Sequence, residues 1–375
     1  MISLLLVQGD LNLNVDCTVT LRRGNDLYAC GHRFLMIGPV EFPFAPSRVM
    51  AVVPNLASSF KLDAPGMPVG TIRQDRFGAI YGIVGEKAAT IPVHIRVAST
   101  LNRQEDYNFD MVQQGFLSPF LLNLAVTSAV SSTERIMGPS TLDVHGSIHL
   151  SSGESVDLED IVSADVNTAS IAGLSASTPL TYLLGSGFPD LRVKGIDLSI
   201  SASDEKQIAS IEQAWSTKSE VRPGDHIELT AVLRTPWGES VVEKIPVDIP
   251  DSIRDKMLSL VVGSGATINA LENRLSPLGA TPRDLHQLVR ALNRMRRNNR
   301  LYALLMAPQT SFEMQGDQYP SPPPSLVQTF LSDPSVSSSV IYRGTSVVGD
   351  FETRALPYSI RGQKMLLLKV SSVGP

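Results

Sequence analysis

Val15-Asp16-Cys17-Thr18-Val19-Thr20-Leu21-Arg22-Arg23-Gly24-Asn25-Asp26-Leu27-Tyr28-Ala29-Cys30-Gly31-His32 reads as a β-hairpin, and that reading sets the fold class of the sequence around it. Val15, Cys17, Val19 and Leu21 alternate with Asp16, Thr18, Thr20 and Arg22, the period-two pattern of a half-buried strand. Arg23-Gly24-Asn25-Asp26 supplies the turn. The returning strand carries Tyr28, Cys30 and His32 on one face, which a two-residue loop pairs with the Val15, Cys17, Val19, Leu21 face. His32 is therefore expected at a strand end, pointing toward apolar neighbours. Two cysteines are too few for a disulfide framework or a four-cysteine zinc site. Cys17 and Cys30 are read as small buried hydrophobes. The alternative is one bond between them, because they share a face and one turn register sets them opposite each other.

Upstream, the apolar run at 2–7 is far short of the ~18 residues that span a bilayer and lacks the basic start and cleavage site of a signal peptide. It reads as a buried strand, and no transmembrane segment is expected. Downstream, short apolar or alternating runs at 35–40, 48–53, 69–72, 79–84 and 91–97 are separated by Gly and Pro, the spacing of a small barrel or sandwich. Ser118-Pro119 signals a helix start, with Ser118 as N-cap, running to about Met137. A strand at 142–150 and a second helical region at 158–184, closing at Gly185-Ser186-Gly187, follow. Strands at 191–202, 227–233, 241–249 and 258–262, with turns at Arg222-Pro223-Gly224-Asp225 and Thr235-Pro236-Trp237-Gly238, suggest an immunoglobulin-like β-sandwich. Thr281-Pro282-Arg283-Asp284 opens another helix, a proline-rich linker lies at 320–324, and a strand at 364–370 ends the chain.

The expected fold class is multidomain, β-rich α+β. A β domain at 1–100, a mixed helical segment at 101–190, a β-sandwich module at 191–265 and a helix with C-terminal strands at 266–375 agree with ~100–200 residues per domain in a chain of 375. With 43% hydrophobic and 18% charged residues the chain is a folded globular type. Its net charge of −5 gives no general attraction to nucleic acid.

Six histidines, at 32, 94, 145, 149, 226 and 286, offer no metal-binding pair. His145 and His149 have an i, i+4 spacing, but in a strand that separates them by roughly 13 Å. No phosphate loop, dinucleotide fingerprint or Gly-x-Ser-x-Gly elbow occurs, Gly263-Ser264-Gly265 being read as a turn, and no cofactor is expected. Arg290, Arg294, Arg296, Arg297 and Arg300 form the one basic cluster. Arg290, Arg294 and Arg297 are placed on one helix face and read as solvated, with a phosphate-binding patch as the alternative.

His32 remains. A His-Ser peptidase needs an imidazole fixed at the rim of a β-scaffold, with an acid or a carbonyl orienting its second nitrogen. Gly9-Asp10-Leu11, Cys17-Thr18-Val19-Thr20, Gly31-His32-Arg33-Phe34, Gly38-Pro39-Val40, Ser58-Ser59-Phe60-Lys61-Leu62, Pro65-Gly66, Val69-Gly70-Thr71-Ile72 and Gln74-Asp75-Arg76, in that order, resemble the core of the SpoIVB-type serine peptidase family over residues 5–97. Val221-Arg222-Pro223-Gly224 and the stretch 292–302 resemble the C-terminal extension of long bacterial envelope members. The resemblance implies a peptidase-type β-barrel, a serine endopeptidase activity on a protein or peptide, a place in the cell envelope or periplasm, and His32 as general base. The family's nucleophile lies in Gly-Met-Ser-Gly-Ser-Pro, which this sequence lacks. In the long members that motif precedes the region matched here, so the chain is expected to be a fragment of a peptidase, or else a member without its nucleophile. The alternative function is a non-catalytic envelope binding or scaffold protein. Ser58, Ser59 and Cys17 are the substitute nucleophiles to weigh. Ser58 and Ser59 lack a Gly-rich turn to build an oxyanion hole, and packing accounts better for Cys17. Asp75 either orients His32 or forms a surface ion pair with its neighbour Arg76.

Overall fold

The Gly24-Asn25 turn closes as its sequence demands: β3 (Val19–Arg23) pairs with β4 (Asp26–Ala29) from Arg23↔Asp26 onward, and Gly24 takes the left-handed φ of +60°. The computed structural model describes residues 1–57, 59–100, 103–134, 137–275, 282–309, 311–314, 317–320, 322–332 and 340–371. In it β1 (Ile2–Gly9) pairs with β2 (Leu13–Cys17), which bends at Thr18 into β3. β4 then pairs with β8 (Ile80–Val84), β8 with β7 (Gly70–Asp75), β7 with β5 (Gly38–Val53), and β5 with β1. Through the bend at Thr18 the pairings return to β1, a circuit of strands around one core. Leu4, Phe42, Phe44, Ile72 and Ile80 are fully buried in it. Gly70 lets two strands approach closely: a Cβ there would stand 2.4 Å from the Ile83 carbonyl and 2.5 Å from the Phe44 ring.

The runs at 35–40 and 48–53, read as two strands, are one. Pro43 and Pro46 do not break β5, because the strand exchanges partners there, from β7 to β1 and then, from Ser47, to β6 (Phe60–Pro65).

β9 (Thr90–Ala98) buries Ile91, Val93, Ile95 and Val97 and exposes Pro92 and Arg96, as its alternation requires. β10 (Gln104–Val112) pairs antiparallel with it, and α1 (Leu117–Thr133) packs on both. Ser118 is not the N-cap. It is buried inside the first turn, its hydroxyl donating to the Val112 carbonyl, while the Gln114 side chain accepts from the amides of Phe116 and Leu117. The stretch 158–166, expected as helix, belongs to β12 (Ser155–Val166), hairpin partner of β11 (Met137–Leu150). Its β-branched residues suit a strand, and the helix begins only at α2 (Thr168–Gly185). β13 (Val193–Ser203) runs parallel to β9.

Two compact units result: residues 1–135, 145–158 and 169–201, and residues 136–144, 159–168 and 202–375. The expected boundaries near 100, 190 and 265 do not coincide with that division. The second unit holds two packed sheets; of the strands expected in a β-sandwich module at 191–265, the one at 191–202 is β13, beside β9, and strands as far as 370 take part instead. One sheet is β17 (Ser240–Asp248), β16 (His226–Arg234), β14 (Ile208–Ser216) and β24 (Ser359–Arg361). The other is β15 (Glu220–Val221), β25 (Gln363–Val370), β18 (Met257–Ser264), β19 (Leu301–Ala307) and β23 (Ser346–Glu352). Ile211, Leu229 and Val247 from the first meet Leu260, Leu305 and Leu368 from the second in one core. Gly265, read as part of a turn, opens α3 (Gly265–Leu275), whose Ile268 packs with Val261, Tyr302 and Leu304 on the outer face of β18 and β19. α4 (Leu285–Asn293) is capped by Asp284, which accepts from the Gln287 amide, while Thr281 lies outside the described residues. α5 (Pro324–Ser332) starts inside the expected proline-rich linker, with Pro324 in its first turn.

Cys17 and Cys30 are bonded, which settles the open alternative against two free thiols. Their Cα atoms lie 4.7 Å apart, and the Cys30 amide donates to the Thr18 carbonyl. Replacing both by serine should cost about 3 kcal/mol in urea unfolding, the loop-closure entropy of a bridge of this span.

Candidate functional site

β4 ends at Ala29 because Cys30 and Gly31 both turn to a left-handed φ of +70°. The strand's parity is lost there, so His32 is exposed and not turned toward apolar neighbours as the extended hairpin implied. The loop carrying it, residues 30–37, is tied down at three places. The disulfide holds Cys30. Phe34 sets its ring edge-on against the buried Phe42, 6.5 Å between centroids. Asp75, 1% exposed at the end of β7, accepts from the amides of Phe34 (2.9 Å), Leu35 (2.7 Å) and Ile37 (3.2 Å).

Asp75 therefore does not orient His32 directly, and it forms no surface ion pair with Arg76, whose guanidinium donates to Gln74. Its carboxylate is taken up by the loop backbone. A carbonyl orients the imidazole instead: His32 Nδ1 lies 2.7 Å from the Arg33 oxygen. A carbonyl oxygen only accepts, so Nδ1 carries the proton and Nε2 of the neutral ring keeps its lone pair. Around it, Leu35, Met36 and Phe77 are exposed, and the Arg33 guanidinium lies over the Phe77 ring at 6.0 Å.

The substitute nucleophiles are not beside it. Cys17 is oxidised. Ser59 exchanges hydrogen bonds with Asn55 in the turn between β5 and β6, at the far end of β5 from the His32 loop. Ser58 lies outside the described residues.

A second constellation, which sequence spacing missed, forms across β9, β10, β11 and β13. His94 Nε2 is 3.0 Å from Asp106 Oδ1, which also accepts from Arg96, and His94 Nδ1 is 3.7 Å from Asp197 Oδ1. Asp197 Oδ2 is 3.0 Å from His149 Nε2. Arg96, and after it His94, hold the Asp106 carboxyl below its usual range. His94, His149 and Asp197 line a cleft of about 740 Å³ with Asn108, Asp110 and Lys194. The signal available in the sequence was the outward parity of His94, Asp106 and His149 on alternating strands. Strand order, which sequence does not state, joined them. Among the described residues no group of three or more His, Cys, Asp or Glu side chains could hold a metal ion.

Of the face expected to be solvated, Arg290 on α4 and Arg294 at its C-cap are exposed, whereas Arg297 is not. α4 stops at Asn293, and the last three arginines lie in the connection to β19. Arg296 donates to Glu272 and Asp350 and stacks 5.1 Å over Tyr302, Arg297 pairs with Glu159, and Arg300 with Glu352. Burial works to lower the Arg296 guanidinium, but its hydrogen bonds to Glu272 and Asp350 outweigh that and raise it. No free phosphate patch is left on these three.

Comparison with protein-family models, with curated proteins and with solved structures finds no match to this chain.

Asp75→Ala should lower stability by about 3 kcal/mol, since three amides lose one buried acceptor, and should speed hydrogen exchange at Phe34, Leu35 and Ile37. Arg296→Ala should cost about 2–4 kcal/mol in denaturant unfolding, because two carboxylates and a ring face lose their shared cation.

Proposed function

We propose that residues 5–97 are the base-bearing part of a SpoIVB-type serine endopeptidase domain, with His32 as general base and Asp75 as the residue that positions its loop. The observation that carries this reading is the exposed His32 side chain, whose Nε2 is left as an acceptor by the contact between Nδ1 and the Arg33 carbonyl. In the proposed step Nε2 takes the hydroxyl proton of a serine as its oxygen attacks a peptide carbonyl, then returns that proton to the leaving amine. The Arg33 carbonyl stabilises the imidazolium in between. Leu35, Met36 and Phe77 offer apolar surface for substrate side chains, and the ordered family-like segments of the sequence and the strand circuit of a small barrel support the same reading. The family's nucleophile motif, Gly-Met-Ser-Gly-Ser-Pro, does not occur in these 375 residues. That absence favours the second reading, a non-catalytic binding or scaffold protein built on the same barrel.

A fluorophosphonate probe on the complete gene product distinguishes the two. Serine labelling is expected, slowed about 100-fold or more by His32→Ala. No labelling, or labelling indifferent to His32→Ala, rejects the peptidase reading. The 375-residue chain alone is expected to leave a denatured protein substrate intact, and His32-dependent cleavage by it would show that the nucleophile lies within it.

A further inference from the structure

Beyond Ser47, β5 and β6 leave the circuit as a two-stranded arm. Among the described strands, residues 48–53 of β5 pair with β6 alone, and β6 pairs with β5 alone, so both edges of the arm are free. Two-stranded ribbons of this kind are marginal in water unless a third element covers them. The arm is also apolar where it is most exposed: Met50 is 62% exposed, Val52 61%, Phe60 52% and Leu62 51%, and Leu56 in the turn is wholly exposed. The register places these side chains on both faces. Val53 with Phe60, and Ala51 with Leu62, fall on one face; Val52 with Lys61, and Val49 with Asp63, fall on the other.

The charges are one-sided. Between positions 47 and 62 the ionisable residues are Arg48 and Lys61, both basic and exposed, in a chain of net charge −5. Among the described residues Lys61 reaches the Met1 sulfur, at 3.8 Å, and no carboxylate. The first carboxylate, Asp63 at the base, accepts from the Ser47 hydroxyl.

We infer that this arm docks on an anionic lipid surface, its apolar side chains reaching the boundary between headgroups and acyl chains and Arg48 and Lys61 meeting lipid phosphates. A flat protein partner covers one face of a ribbon, whereas immersion covers both faces and the turn. A second copy in a two-fold contact would set the basic arm against its own like charges. The free backbone edges keep the arm in the hydrated interfacial layer, where water still reaches them.

Flotation with vesicles of phosphatidylcholine alone, and of phosphatidylcholine with phosphatidylglycerol in equal parts, tests this. The protein should float with the mixed vesicles and not with the neutral ones. Lys61→Glu should weaken partitioning about fivefold or more, reversing one charge at the surface, and the pair Leu56→Asp and Phe60→Asp about tenfold or more, removing the apolar anchor. A Phe60→Trp chain provides an independent readout: its fluorescence should shift to the blue on adding mixed vesicles. Absence of flotation, flotation indifferent to the paired substitution in a chain with unchanged circular dichroism, or no shift from Phe60→Trp overturns the inference. So does a dimer in solution that Leu56→Asp dissociates, because the arm would then be a contact between copies.

Discussion

The carboxylate of Asp75 with the three loop amides it receives is the contact on which the candidate site depends. A carboxylate almost wholly removed from water is tolerated only when its lone pairs are used. Here the donors all come from one short loop, so satisfying the charge and fixing the loop are a single event. The disulfide fixes the loop's start and the Phe34 ring its middle, which leaves His32 and Arg33 between them as exposed side chains. A buried carboxylate thus positions an exposed imidazole without touching it.

The two histidine settings in the first unit differ in a way that bears on chemistry. His94 and His149 each lie 3.0 Å from a carboxylate oxygen on the sheet face. His32 has a neutral carbonyl on one nitrogen and solvent on the other. On the neutral ring of His32 that leaves Nε2 a lone pair to take a proton from an incoming group.

In the second unit, charge is distributed by partner and not by sequence neighbourhood. Arg296, Arg297 and Arg300 are crowded along the chain, yet Glu272 from α3, Glu159 from β12, and Asp350 and Glu352 from β23 arrive from three distant segments to separate them. A run of like charges reads as a solvated face only when nothing opposite approaches. Here the fold supplies the opposite charges, and the run becomes an internal tie.

Sequence by itself determined the local elements: the hairpin turn at Gly24, the alternating strands β9, β16 and β17, and the apolar stripe of α4 follow from periods of 2 and 3.6 and from turn chemistry. It marked His32 and Asp75 as residues worth placing. Tertiary structure alone decided their relation, because the groups that settle it lie far apart in the chain: Asp75 is 41 residues from the amide of Phe34, and Cys17 is 13 from Cys30. A short side chain such as Asp reads identically in sequence whether it faces an imidazole, a guanidinium or a row of amides. Which of them it meets is fixed only when β7 is laid beside β5 and the loop closes over its end.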